Sequence, residues 1–178
     1  MSSTPSISIA TAHDAPALAV LRASVARDMT ERYGEGDWSA TPEEGDVLGQ
    51  LNASRVLVAR RDQQIIGTVR LVRALPWAFD ASAFTPIKTA LYVLGLAVAP
   101  HAREQGVARQ LMEAAKEVSR SWPADALWLD AYDHLAGAGP FYLKSGFREV
   151  GRTKYRKMRL IYYEWLVRGP EPIRVPGA

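Results

Sequence analysis

Residues 101–115 read HAREQGVARQLMEAA, and the first half of that stretch differs in kind from the second. Gly106 and Ala108 leave the backbone uncovered, Arg103 and Arg109 bring positive charge, and Gln105 stands between them. The first N–H groups of a helix have no internal acceptor and lie at the positive end of its dipole, so a helix opening here suits a phosphate group. Arginine countercharge would strengthen that hold. The competing reading is a plain strand-to-helix junction with solvated arginines, and Arg-x-x-Gly-x-Ala alone does not separate the two.

The surrounding elements must place that helix. ALYVLGLAVAP (90–100) is almost continuously apolar and ends at Pro100, the pattern of a central strand covered on both faces. Gly95 within it marks a bulge or a close backbone approach. The helix that follows starts near Gln105, carries Val107, Leu111, Ala115 and Val118 on one face, and stops near Trp122-Pro123. Upstream, Asp14 caps a helix over roughly 15–30 marked by Leu18, Leu21, Val25 and Met29. Thr41-Pro42-Glu43-Glu44 supplies the cap, proline and acid that start a second helix, reaching about Leu51.

SRVLVAR and QIIGTVRLVR, separated by Arg61-Asp62-Gln63, form an antiparallel hairpin. ALPWAFDASAFTPIKTA is a long connection of the kind that often serves as a lid, and its aromatics argue against disorder. ALWLDAY is a strand, GAGPFYLKSG a short helix ended by Gly146, and FREVGR with YRKMRLIYYEWLV the last two strands. The order α-α-β-β-β-α-β-α-β-β describes one mixed α+β domain over 1–178, with a frayed tail from about 169.

Composition narrows the function. The net charge of +3 is spread along the chain and demands no nucleic-acid partner. Without cysteine there is no disulfide framework, thiolate metal site or cysteine nucleophile, and no metal is expected. The start has no basic stretch leading into an apolar core, and no later run reaches the ~18 apolar residues of a membrane span. A cytoplasmic protein with no membrane partner is the expectation.

The strand-then-helix placement of Arg103, Gly106 and Ala108, followed about thirty residues later by GPFYLKSGF, resembles the GNAT superfamily of acyl-CoA-dependent N-acyltransferases. The first block is similar to its acyl-CoA signature (Gln or Arg, two residues, Gly, one residue, Gly or Ala). The second, through Phe141, Tyr142, Lys144, Gly146 and Phe147, is similar to its aromatic-Tyr-x-Lys-x-Gly-Phe block. Element order agrees from about residue 7 to 167. The resemblance implies a mostly antiparallel twisted sheet of about six or seven strands with helices on both faces. It also implies acetyl transfer from acetyl-CoA, as cosubstrate, directly to a primary amine of a small molecule or peptide.

In that reading the backbone amides of Gln105, Gly106, Val107, Ala108 and Arg109 hold the pyrophosphate, with Arg103 alongside. The pantetheine runs along Leu96, Ala97 and Val98, and the Val98 N–H polarises the thioester carbonyl. Tyr142 corresponds to the general acid that protonates the departing thiolate; a phenol near pKa ~10 can serve a thiol near ~8.5. The alternative for Tyr142 is packing beside Phe141 and Phe147. Many relatives have an asparagine seven residues before the tyrosine; here that position is Leu135. Asp133 and His134, just upstream, either replace its cofactor contact or face the substrate, and they are the best placed bases for the amine proton.

His101 is a phosphate neighbour or simply exposed. No glutamate stands in VLVAR or LYVLGLAV, where the family often keeps its base. Glu35 and Asp37 in RYGEGDWSA suit an ammonium group, with Tyr33, Trp38, Trp77 and Phe79 walling its apolar part. The alternatives are solvated acids and aromatics buried in a dimer. Tyr162, Tyr163 and Trp165 pack either the sheet or a second copy in a homodimer. The missing cysteine fits direct attack, since no thiol acyl-enzyme can form. A non-catalytic acyl-CoA-binding module or sensor is the alternative. A nucleotide-binding protein ranks below it, because the P-loop Gly-Lys-Ser/Thr is missing.

Overall fold

In the computed structural model the described residues are 4–76 and 79–167, so Trp77 and the tail read as frayed lie outside them. Arg61-Asp62-Gln63 does turn the chain. Asp62 and Gln63 adopt φ of 48° and 68°, the left-handed pair a two-residue hairpin turn requires, and they join β2 (Arg55–Arg61) to β3 (Gln64–Val72). The hairpin lies within a seven-stranded sheet ordered β1-β2-β3-β4-β5-β7-β6. Its other strands are β1 (Ser6–Ile9), β4 (Ala90–Val98), β5 (Ala126–Tyr132), β6 (Arg148–Tyr155) and β7 (Met158–Leu166). Among the described strands only β4 and β5 run parallel.

Among the described residues four α-helices cover the sheet: α1 (Ala15–Tyr33), α2 (Glu44–Ala53), α3 (Val107–Ser121) and α4 (Gly139–Lys144). The mixed α/β architecture, the strand number and helices on both faces agree with expectation. Several boundaries do not. SISI forms an edge strand that periodicity did not reveal, because four residues with mostly exposed side chains carry no alternation to read. The second helix begins after Glu43, not Thr41; the Asp46 carboxylate accepts the Glu43 N–H at 3.0 Å and closes the first turn there. The final hairpin turns at Arg156-Lys157, inside the run read as one strand, with Arg156 at φ 54°.

Strand alternation sorts the core into two faces. Val69, Leu71, Leu91, Val93, Leu127 and Leu129 pack under Leu111, Met112 and Ala115 of α3. On the other face Val56 and Val58 lie beneath Ala15 and Leu18 of α1 and Val47 of α2. Further along, Tyr92, Trp128 and Tyr162 lie beneath Phe79 and Phe84 of the long connection. Gly67 lets α3 seat closely: a Cβ there would lie 2.9 Å from Val107 Cγ1 and 3.0 Å from Leu111 Cδ1. The start of α3 is therefore fixed against β3.

The long connection is fastened by one buried acid. Glu164 of β7, its side chain 0% exposed, accepts the Thr85 N–H at 3.0 Å, the Thr85 hydroxyl at 2.6 Å and Arg148 Nε at 2.8 Å. Burial pushes its carboxyl pKa up, but the bonds from Thr85 and Arg148 outweigh that and hold it below the ordinary glutamate value. Glu164→Ala is expected to lower stability at pH 7 by about 2–4 kcal/mol in urea unfolding. A depressed folded pKa means this contribution is complete above the unfolded value of ~4.3 and is lost as the pH falls through the folded one. The gap between wild type and variant should therefore narrow in melts at pH 3; a gap that widens on acidification would contradict the assignment.

Candidate active site

The parallel pair β4·β5 is joined only through Ala90, Leu91 and Tyr92, opposite Ala126, Leu127 and Trp128. Beyond Tyr92 the two strands part. The β4 ladder with β3 continues past that point through a register shift around Gly95, which takes φ 60°, so the glycine serves the bulge its position suggested. Ala99 N–H bonds the Ile66 carbonyl at 2.9 Å. Because antiparallel bonding alternates residue by residue, the amide of Val98 then turns away from β3 and into the gap beside β5. Leu96, Ala97 and Val98 are all half-buried along that edge.

The start of α3 meets the end of the gap. Gly106 caps the helix at φ 79°, and the first bond to close is Gln110 N–H to the Gly106 carbonyl at 3.0 Å. The amides of Val107, Ala108 and Arg109 therefore come before any intrahelical acceptor. The helix opens two residues later than expected, so Gln105 and Gly106 belong to the loop. Two side chains point elsewhere than the sequence suggested. Arg103 is ion-paired with Asp28 of α1, and Gln105 takes Arg61 Nη1 at 2.7 Å while donating to the His101 carbonyl at 2.8 Å. Arg109 is exposed.

Tyr142 of α4 is buried and packed among other rings. Its ring meets Phe141, Phe147 and Tyr163 with centroids 5.4–5.9 Å away. Burial and the charge of Asp130 raise its pKa above the ordinary phenol value, so it gives up its proton less readily than a free phenol. Asp130, near the end of β5, accepts a hydrogen bond from the Tyr92 hydroxyl. Burial raises the Asp130 carboxyl above the ordinary value despite that bond.

Past Tyr132, a cavity of about 430 Å³ is bounded by the α1–α2 loop, the end of β5 and the β6–β7 turn, and is lined by Glu35, Asp37, Trp38, Asp133, His134 and Arg159 among others. Trp38 stacks on His134 with centroids 5.2 Å apart, and Tyr33 meets the same imidazole edge-on at 6.3 Å. Thus Tyr33, Glu35, Asp37 and Trp38 gather where a substrate loop was expected. Phe79 does not join them; it is wedged against Phe84, Tyr92, Trp128 and Tyr162. Tyr162 and Tyr163 are buried in the sheet, and Trp165 lies under Lys116 and Arg120, so these rings pack this chain's own fold.

The two expected bases are both engaged. His134 Nδ1 accepts the Ala136 N–H at 3.0 Å, so the neutral ring carries its proton on Nε2 and offers the cavity a donor in place of a lone pair. Asp133 is held by Arg152 at 3.3 Å and Arg159 at 3.6 Å. Leu135, at the position of the usual asparagine, is exposed and makes no polar contact of that kind.

Comparison with known proteins agrees with this geometry. The family model described as acetyltransferase (GNAT) family matches residues 21–147. The chain belongs to that family. A ribosomal-protein-alanine N-acetyltransferase from Brucella melitensis is similar in structure at TM-score 0.69 and 20% identity, covering 90% of this chain and 99% of that one. PaiA N-acetyltransferase from Thermoplasma acidophilum, in complex with coenzyme A, gives 0.69 at 14% identity, covering 92% and 100%. Aminoglycoside 6'-acetyltransferase type Ii gives 0.68 at 18%, covering 94% and 99%. Comparison with curated proteins found no match.

For a GNAT enzyme the unanticipated residues are Tyr92 and Asp130. A charge in LWLDAY, at a position whose strand neighbours are all apolar, was the available signal. A raised folded pKa in an acid costs stability as the pH climbs from the unfolded value of ~3.9 through the folded one. Asp130→Asn keeps an acceptor for Tyr92 and removes that cost. The variant is expected to be more stable than wild type at pH 7, with the difference closing by pH 3 in thermal melts. A less stable variant at pH 7 would show that the carboxylate is held for structural reasons.

Proposed function

We propose that this GNAT enzyme transfers the acetyl group of acetyl-CoA directly to a primary amine seated in the cavity beside Trp38 and His134. The observation that carries this reading is the open gap past Tyr92, with the Val98 amide turned into it and the unbonded amides of α3 at its end. A thioester carbonyl within that gap meets a backbone donor that side-chain mutation cannot remove, and the amides from Gln105 to Arg109 suit the pyrophosphate. Gly106 fits this use: a Cβ there would meet nothing within 4 Å of the protein, so the space it faces is open. Arg103, tied to Asp28, contributes by bracing the loop against α1 and leaves the phosphate to the backbone and to Arg109.

The amine nitrogen attacks the carbonyl carbon, the carbon–sulfur bond breaks, and the thiolate takes the phenolic proton of Tyr142. Asp130 is the better acceptor for the amine proton than Asp133 or His134. Among the described residues it has no arginine partner, its basicity is raised by burial, and its charge already acts on Tyr142. Glu35 and Asp37 draw an ammonium group towards the cavity mouth. Proton loss on one side and proton gain on the other leave Asp130 protonated and Tyr142 ionised, and solvent exchange restores both.

Acetyl-CoA at about a hundred times its dissociation constant should stabilise the protein by ~2.7 kcal/mol, read as a rise in melting temperature. Gly106→Val, which places a branched side chain in the open mouth, should abolish that rise. Tyr142→Phe should retain the rise and lower kcat by about 10²-fold with any amine that is turned over. Unchanged turnover of Tyr142→Phe across the pH range would remove it from the acid role.

A further inference from the structure

Two half-buried arginines remain outside that scheme. Arg70 lies between Val69 and Leu71, whose side chains go under α3, so its own goes to the opposite face. It stands directly opposite Val56, which packs beneath Ala15 and Leu18 of α1. On its other side it pairs with Leu94 of β4, next to the Gly95 bulge, while Val72 two residues on pairs with Tyr92. Arg22 lies one turn beyond Leu18 on the same buried stripe of α1 and so points at this part of the sheet. The Nε atoms of both arginines are buried with no hydrogen-bond partner.

Among the described residues no carboxylate pairs with either guanidinium. The one polar contact recorded for Arg22 is with Gln50 of α2. Burial, together with the positive charge of Arg70, lowers the Arg22 pKa. Two like charges facing each other where both side chains are half-buried, each with one buried and unused Nε donor, oppose folding of the free protein. Arg70 is paired with β4, the strand whose other edge faces the gap.

We infer that Arg22 and Arg70 form the recognition site for an anionic group on the acceptor, so that the substrate is an amine that also carries a carboxylate or a phosphate. The inference rests on the acetyl-transfer reading. The planar, fixed donors of guanidinium match either oxyanion, and an anion arriving between two unpaired arginines relieves their repulsion as well as filling their vacant bonds. Its amine would lie towards Asp130 and the cavity beside Trp38 and His134, so one molecule meets half-buried charges of opposite sign at its two ends. A neutral or purely cationic amine would leave the arginine pair uncompensated.

Coenzyme A release from acetyl-CoA is measured with matched acceptors: the common α-amino acids against their amides, and phosphoethanolamine against ethanolamine. The anionic member of a pair should have at least ~10²-fold higher kcat/KM, and whether carboxylate or phosphate gives it identifies the source of the anion. Arg70→Met and Arg22→Met should reduce that preference to near unity, chiefly through KM. Both variants should also melt at or above the wild-type temperature without substrate, as removal of an uncompensated charge requires. The inference is overturned if amides and ethanolamine are preferred, if no anionic acceptor is used or raises the melting temperature, or if both variants melt lower and lose all acceptors equally. Loss of the acetyl-CoA-induced melting shift in wild type would instead overturn the acetyl-transfer reading.

Discussion

A parallel strand pair ordinarily exchanges hydrogen bonds along its full length, and β4 and β5 do so over three residues. The cause is local on one side and topological on the other. The bulge at Gly95 turns β4 along its ladder with β3, while β5 follows β7 through seven paired positions from Ala126 to Tyr132. Each strand is thus committed to a different neighbour, and the edge amides between them are left without a protein acceptor. An unsatisfied backbone donor in the interior is costly unless something occupies it.

The elements around the gap serve to hold it open and to bring chemistry to its two faces. Gly67 allows α3 to sit close on β3, which puts the first turn of that helix at the end of the gap. On the opposite face, Glu164 ties down the connection through Thr85, and Phe79 and Phe84 then cover Tyr92, Trp128 and Tyr162. That cover dries the surroundings of Tyr92 and Asp130 and raises both pKa values, burial being the leading cause for each. The aromatic connection therefore acts on Tyr92 and Asp130 by excluding water, while the cavity is lined by the loop after α1.

Buried charge is where stability and activity diverge. Ion pairs such as Arg60 with Asp14 at 2.8 Å have their partners in the fold and contribute to it. Asp130 has a phenol in place of a cation, and Arg22 and Arg70 have each other in place of an anion. Such groups oppose folding unless something from outside satisfies them, as the proposed acceptor would.

Much of this protein was legible in order and very little of it in contact. The hairpin, the apolar central strand with its glycine, the amphipathic helix behind it and the Tyr142 block are periodic or carry turn residues, so local physics determines them. The edge strand at 6–9 and the turn at Arg156-Lys157 were illegible because one is too short to show a period and the other uses a left-handed residue without the usual glycine or asparagine. Arg103, His134 and Asp133 are the right types in the right segments, yet Asp28, Ala136 and two arginines occupy them. By itself the sequence determined the succession of elements and the bare mouth of α3, since both depend on residues within a few positions of each other. Only the tertiary structure decided which charges go unpaired, because Asp130 and Arg70 owe their state to strands and helices distant along the chain.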